Sequence, residues 1–253
     1  MLKKVALILA GAMLFTAVAA ANTPKEVISD AKKFDGTVGI YAKNLKTGKS
    51  LGYNEDFVFP AASTAKLVVT MAVYKYMYAT ASPAKKSLYD SDVEAMIVVS
   101  DNDAYAELLG EIDAVKPDAL KRVGRDLRLS RTQIHSEDAF KRYNYHSVTT
   151  AYEMASVMET IYRDRYLGKP RSTDLKDKLA NTIFKDEIPR HMETRVMHKV
   201  GELDDTLCDV GIVDDGKDLI LISVYTKTGR DNPYASDYIA TAAAKAYNAL
   251  RRK

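Results

Sequence analysis

"FPAASTAKLVV", residues 59–69, sets Ser63 and Lys66 three positions apart at the head of an apolar run. Such a serine can simply cap a helix, with the lysine incidental. It can also be a nucleophile with its base. From Ser63 to Tyr78 the run leaves no wide polar face, because Ala65, Leu67, Val68, Val69, Met71, Ala72 and Val73 fill nearly every side. That pattern predicts a helix buried in the middle of the protein. Positions three apart share a helix face, so Lys66 Nζ can approach Ser63 Oγ. Burial and the positive end of the helix both favour a neutral amine, which can accept the serine proton. Serine is a poor nucleophile without such a base. S-x-x-K alone is common, so the rest of the chain has to decide.

Upstream, "TPKEVISDAKKFD" has helical spacing, and "GTVGIYAKNLKTGKSLGYN" reads as a β-hairpin turning near Thr47-Gly48. Downstream comes a string of helical segments: "DSDVEAMIVVS", "DAYAELLGEI", "PDALKRVGRDL", "VTTAYEMASVMETIY" and "STDLKDKLANTIF". Between Arg128 and Ser147 there is little periodicity, which predicts a long loop. Strands return at "RVMHKVGEL" and "CDVGIV"; Asp214-Asp215-Gly216 makes a turn, and "DLILISVYT" follows as a near-continuous β run. "SDYIATAAAKAYNALRR" closes the chain as a helix. The expected fold class is α/β (α+β). One antiparallel sheet is built from the N- and C-terminal segments and flanked by helices, with an inserted all-α lobe. The boundaries are about 22–61 plus 190–253 for the α/β lobe and 62–189 for the all-α lobe.

Residues 1–21 stand apart. Lys3 and Lys4 precede an apolar stretch from Val5 to Val18, and small residues follow, with cleavage options after Ala19 or Ala21. This is the pattern of a secretory signal peptide; the stretch is short for a retained membrane span. Residues 22–253 are then expected to form a single domain, secreted or periplasmic. Without Lys3 and Lys4, Lys+Arg falls from 37 to 35 against 34 Asp+Glu, a charge of about +1. Nothing there favours nucleic acid or an anionic membrane surface. Cys208 is the single cysteine, so no internal disulfide is available, and the four histidines show no zinc-type spacing. No metal or other cofactor is expected.

Two further short signals share the order of the chain. Ser100-Asp101-Asn102 precedes a helix, where Ser100 or Asp101 could simply cap it. In a catalytic reading, Ser100 Oγ carries a proton to a leaving nitrogen, and Asn102 bonds Lys66 or a substrate carbonyl. Lys199-Val200-Gly201 lies on a strand, where the glycine would let a substrate backbone come close.

S-x-x-K, S-D-N and a K-T-G-like tripeptide, in that order and in those helix and strand contexts, form the set typical of class A β-lactamases and penicillin-binding proteins. The chain resembles class A β-lactamase-like serine hydrolases over nearly all of residues 22–253. The resemblance implies that Ser63 is the nucleophile, Lys66 the base, Ser100 the proton carrier and Lys199 the attractor of a substrate carboxylate. It also implies an oxyanion hole from the backbone N–H groups of Ser63 and Glu202, with Lys199, Val200, Gly201 and Glu202 lining the substrate. Literal Lys-Thr-Gly tripeptides at 46–48 and 227–229 fall at the wrong places and are expected on exposed turns.

The departures are specific. Val200 replaces a threonine or serine whose hydroxyl helps hold the carboxylate, and "LCD" at 207–209 offers no arginine in compensation. In the long loop, "RLSRTQIHSEDAF" puts Gln133 near the place of the family's deacylating glutamate, with Glu137 and Asp138 the nearest acids downstream. The expected activity is therefore opening of β-lactams through a Ser63 acyl-enzyme, with slow deacylation. The alternatives are a D-Ala-D-Ala carboxypeptidase or esterase, and a non-enzymatic β-lactam or muropeptide sensor. The expected partner is a small β-lactam or a peptidoglycan-derived peptide, taken by a monomer without nucleic acid or, after signal removal, membrane.

Overall fold

The structure, a computed structural model, describes residues 22–252; the proposed signal segment lies outside them. Helix α1 (Pro24–Ala31) starts on a reciprocal cap: Thr23 Oγ1 accepts from Glu26 N–H while Glu26 accepts from the Thr23 backbone N–H at 2.6 Å. Strands β1 (Thr37–Asn44) and β2 (Ser50–Tyr53) form the expected hairpin, and Gly48 supplies the left-handed turn residue (φ 79°). Near the other end come β5 (Val196–Leu203), β6 (Thr206–Asp214), β7 (Leu219–Lys227) and the closing helix α9 (Asn232–Leu250). All pairings are antiparallel, in the order β2-β1-β7-β6-β5. The last strand in sequence is thus the middle strand of the sheet, and β5 is an edge.

Both faces of this sheet are covered, which is why "LILISVY" reads as an unbroken apolar run. Ile220, Ile222 and Val224 pack with Val27, Ile239 and Ala243 of the terminal helices. Leu221 and Tyr225 point the other way, into a core shared with the helical segments between the strands. Those are α2 (Ala65–Ala72), α3 (Pro83–Val98), α4 (Asn102–Val115), α5 (Ala119–Asp126), α6 (Glu137–Tyr143), α7 (Ala151–Tyr162) and α8 (Lys169–Ala180).

Every residue of α2 is buried, as its sequence predicts. The run is not one uniform helix, however. A single 3₁₀ turn at Ala62–Thr64 leads into α2, and a wider π-turn over Val73–Met77 ends it. The long loop also departs from expectation, because it contains α6. Its caps are legible in hindsight: Ser136 Oγ accepts from Ala139 N–H, Glu137 and Asp138 fill the first turn, Lys141 and Arg142 the last, and Asn144 closes it in the left-handed region.

The loop is tied down at its base by one buried carboxylate. Glu153 of α7 accepts from Ser130 N–H (2.7 Å), Arg131 N–H (3.0 Å), Thr132 N–H (2.7 Å) and Thr132 Oγ1 (2.6 Å). Further along, β4 (Val148–Thr149) pairs with β3 (Phe59–Pro60), and Ala61 N–H donates to Ser147 O at 2.9 Å. The end of the loop is therefore stitched to the residues that run directly into Ser63.

Candidate active site

Ser63 stands on the 3₁₀ turn at the mouth of α2. Ala62, just before it, is held in the left-handed region (φ 46°), a strained conformation for a residue with a Cβ. Thr64 locks the turn from below. Its Oγ1 donates to Ala61 O (2.5 Å) and lies 2.6 Å from the Tyr225 hydroxyl.

Lys66 follows one turn later and is 1% exposed. Its Nζ donates to Ser100 O (2.6 Å), Asn102 Oδ1 (2.7 Å) and Ser100 Oγ (3.2 Å), and lies 5.6 Å from the centre of the Tyr105 ring. Burial lowers its pKa to about 8, with Asp101 pulling weakly the other way. Of the two possible caps for α4, Asp101 is the one used: its Oδ1 accepts from Ala104 N–H at 2.8 Å. Ser100 is then free to turn (φ 59°) and aim its hydroxyl at the amines.

Lys199 comes from β5 and is fully buried. Its Nζ donates to Ser100 Oγ (2.9 Å) and Val200 O (3.0 Å). Burial, with the nearby Lys66 charge adding to it, lowers its pKa to about 7. A fully buried pair supports the strand from behind: His198 Nδ1 lies 2.9 Å from Asp209 Oδ2, which also accepts from Ile188 N–H.

These groups back onto a cleft of about 300 Å³. Ser63, Lys66, Asn102 and Tyr105 form one wall, Tyr145, His146 and Ser147 of the loop another, and Glu202 and Leu203 of β5 the third. The structure joins Lys66, Ser100, Asn102 and Lys199 by hydrogen bonds and sets Ser63 beside Lys66 and Asn102 on the cleft wall. Three expectations need correcting. Val200 does not face the cleft; it is buried in the core on the terminal-helix side of the sheet. Gly201 makes room for the protein's own turn, since a Cβ there would lie 2.8 Å from Ser63 N and 3.0 Å from Ala62 Cβ. Glu202 does border the cleft, and its carboxylate accepts from Asn232 Nδ2 at 2.5 Å.

The third correction is Gln133. It lines a separate cavity of about 590 Å³ under the loop, and its Oε1 accepts from Ser136 Oγ at 3.0 Å. The ladder between Gln133 and Val148 fixes the backbone there, so alignment along the loop does not place Gln133 on the cleft that Ser63 lines. Of the two literal Lys-Thr-Gly lysines, Lys46 donates to the Gly216 and Lys217 carbonyls. Lys227 is not on a free turn; it pairs with Asp205 (3.1 Å) and reaches the hydroxyl of Tyr145 (3.2 Å).

Sequence reasoning missed Tyr105, Tyr145, His146 and Ser147. Tyr105 could have been found, because it lies one turn beyond Asn102 on α4. The three loop residues carry no such spacing and reach the cleft only through the β3–β4 stitch.

Among the described residues, no three His, Cys, Asp or Glu side chains converge as a metal would require, and no helix is long and apolar enough to cross a membrane. No curated protein matches the chain in sequence. The fold, by contrast, is widely shared. A β-lactamase from Sphaerobacter thermophilus superposes with a TM-score of 0.75 at 20% identity, covering 89% of this chain and 96% of its own. A class A β-lactamase from Bacteroides cellulosilyticus gives 0.75 at 18%, over 90% and 98%. The structure of PBP-A gives 0.75 at 21%, over 89% and 94%. The sequence model of the β-lactamase enzyme family matches residues 20–88 and 79–250, nearly the whole described chain. By that match, and with the fold to accompany it, the protein belongs to the β-lactamase enzyme family.

Proposed function

We propose that this protein is an exported serine hydrolase, acylated on Ser63 by β-lactams and slow to release the acyl group. The observation that carries the reading is the chain Lys66–Ser100–Lys199, two depressed amines joined through one hydroxyl beside a cleft-facing serine.

As an ammonium, Lys66 satisfies three acceptors. As a neutral amine it keeps two N–H bonds, to Ser100 O and Asn102 Oδ1, and gains a lone pair. That lone pair takes the Ser63 proton as Oγ attacks the lactam carbonyl. The oxyanion is assigned to the backbone N–H groups of Ser63 and Glu202, on either side of the tight Gly201 contact. As the C–N bond breaks, Ser100 Oγ gives its proton to the nitrogen and recovers one from Lys66. Lys199, one hydroxyl away, is the amine that a substrate carboxylate would meet beside Ser100, and the approach of that carboxylate would favour its protonated form.

Slow release rests on the cleft's composition. Glu202 is the single carboxylate on its walls, and that group is engaged by Asn232. A single-substitution mutant of PBP-A, a protein of the same fold, has been captured as an acyl-enzyme with penicillin G. The second reading is a D-Ala-D-Ala peptidase that β-lactams trap as an ester. Intact mass of the protein mixed with a penicillin, followed over time, tests both. The expected result is a stable mass gain that disappears in Ser63→Ala. Equal labelling of Ser63→Ala sinks the assignment. Release of D-alanine from a peptidoglycan pentapeptide identifies the second reading.

A further inference from the structure

We propose that His146 is the general base of deacylation, positioned by Glu137 and Phe140; this rests on the acyl-enzyme reading above. The geometry that carries it is local to the loop. Glu137 and Phe140 lie three apart on α6 and so share a face. The His146 ring is stacked flat on Phe140, with centroids 4.4 Å apart and planes 9° apart. Its Nδ1 is 3.4 Å from Glu137 Oε1, and its backbone carbonyl accepts from Ser136 N–H at 2.8 Å. The ring is thus held by stacking, by a carboxylate and by its own backbone. A carboxylate beside Nδ1 favours the tautomer with the proton there, which leaves Nε2 with a lone pair.

Elimination points to the same residue. On the cleft walls, Lys66 already has the acylation step, and Glu202 is engaged elsewhere. The burial of Tyr105 pushes its phenol further from a proton-accepting form. Of the two titratable side chains left, the Tyr145 hydroxyl accepts from Lys227 Nζ at 3.2 Å, and His146 is the one whose chemistry suits proton abstraction from water. In the step, a water oxygen bonds to the ester carbon while Nε2 takes one of its protons. The tetrahedral adduct then collapses, the bond from carbon to Ser63 Oγ breaks, and the proton on His146 passes to that oxygen. The product acid leaves, with Ser63 and neutral His146 restored.

The test is stopped-flow of the full chain with a chromogenic cephalosporin. His146→Gly should leave the burst amplitude and rate unchanged and lower the steady rate by about 10²-fold or more. Added imidazole should restore that rate in proportion to its concentration, which a merely structural role would not allow. His146→Gln should show the same loss without rescue, and Glu137→Gln a smaller one, about tenfold. A full burst with an unaltered steady rate in His146→Gly overturns the proposal. So does a lost steady rate that imidazole fails to restore while the burst is intact, or a loss of burst and steady rate together in both His146 variants. If wild type gains no mass on Ser63, the acyl-enzyme reading itself fails and takes this one with it.

Discussion

Lys66 and Lys199 meet through a single oxygen: Ser100 Oγ lies 3.2 Å from one amine and 2.9 Å from the other. Burial holds both amines below the usual lysine range, at about 8 and about 7, and the Lys66 charge adds to the depression of Lys199. Near neutral pH both amines are therefore close to their titration range, on either side of one hydroxyl.

This makes acylation pH-dependent with a definite sign. Lys66 accepts a proton only in its neutral form, so the rate of Ser63 acylation by a penicillin should rise with pH, with its midpoint near 8. Burst rates between pH 6 and 9.5 measure this. A rate flat across that range would remove Lys66 from the role of base.

Stability should carry the same signature. Lys199 titrates near 7 when folded but near 10.4 when unfolded. Between those values the unfolded chain holds the extra proton, so stability rises with pH through that window, and below about 7 the full cost of a buried charge is present. Lys199→Met removes the term. The stability of wild type relative to this variant should increase from pH 7 to pH 10 by up to about 1.4 kcal/mol per unit. Urea midpoints that run parallel for the two proteins would contradict the buried titration.

Gly201 should tolerate no side chain. A Cβ at 2.8 Å from Ser63 N presses on the backbone of the nucleophile turn, and Cys208 Sγ at 3.0 Å closes the other side. Gly201→Ala is expected to cost about 1–3 kcal/mol in stability and to slow acylation at least tenfold. Thermal unfolding and burst rate together check it; a variant with normal values for both would mean that strand and turn separate easily.

Ala62 offers a change of opposite sign. Glycine adopts φ near +46° without the steric cost borne by a Cβ, so Ala62→Gly should stabilise the folded protein by up to about 1 kcal/mol. The added freedom next to Ser63 should also lower the acylation rate. A destabilised Ala62→Gly variant would show that the turn is not strained.

Placing a carboxylate at Gln133 should do little. That side chain faces the cavity under the loop and bonds Ser136, so Gln133→Glu is expected to leave the steady rate within about twofold of wild type. A large increase would mean that the loop turns this residue into the cleft during turnover.

The sheet and the buried helix behind Ser63 were legible in the sequence because each depends on local pattern. Alternation marks β1, unbroken apolarity marks a strand covered on both faces, and an all-apolar helix led by Ser63 and Lys66 has no surface alternative. The rest depended on contacts between distant segments. His146 has nothing beside it in sequence to announce a site; it reaches the cleft because Ala61 bonds Ser147 and because α6 supplies a stacking face. Gln133 failed in the opposite way. Its neighbours match a loop signature, but the ladder to Val148 turns it to the far side. Gly201 was read as space for a ligand, when the space is already taken by the turn that carries the nucleophile.

The order β2-β1-β7-β6-β5 also governs when the molecule can come into being. The hairpin made first by the ribosome has its other partner, β7, at residues 219–227, so most of the chain is synthesised while one edge of that hairpin stands open. Until β7 emerges, late in synthesis, the helical segments have no complete sheet on which to settle. The protein is therefore expected to fold after synthesis, through contacts far apart in sequence, and slowly for its size. Truncation by even the last strand and helix should leave no partially working product, only an unfolded chain with its apolar runs exposed.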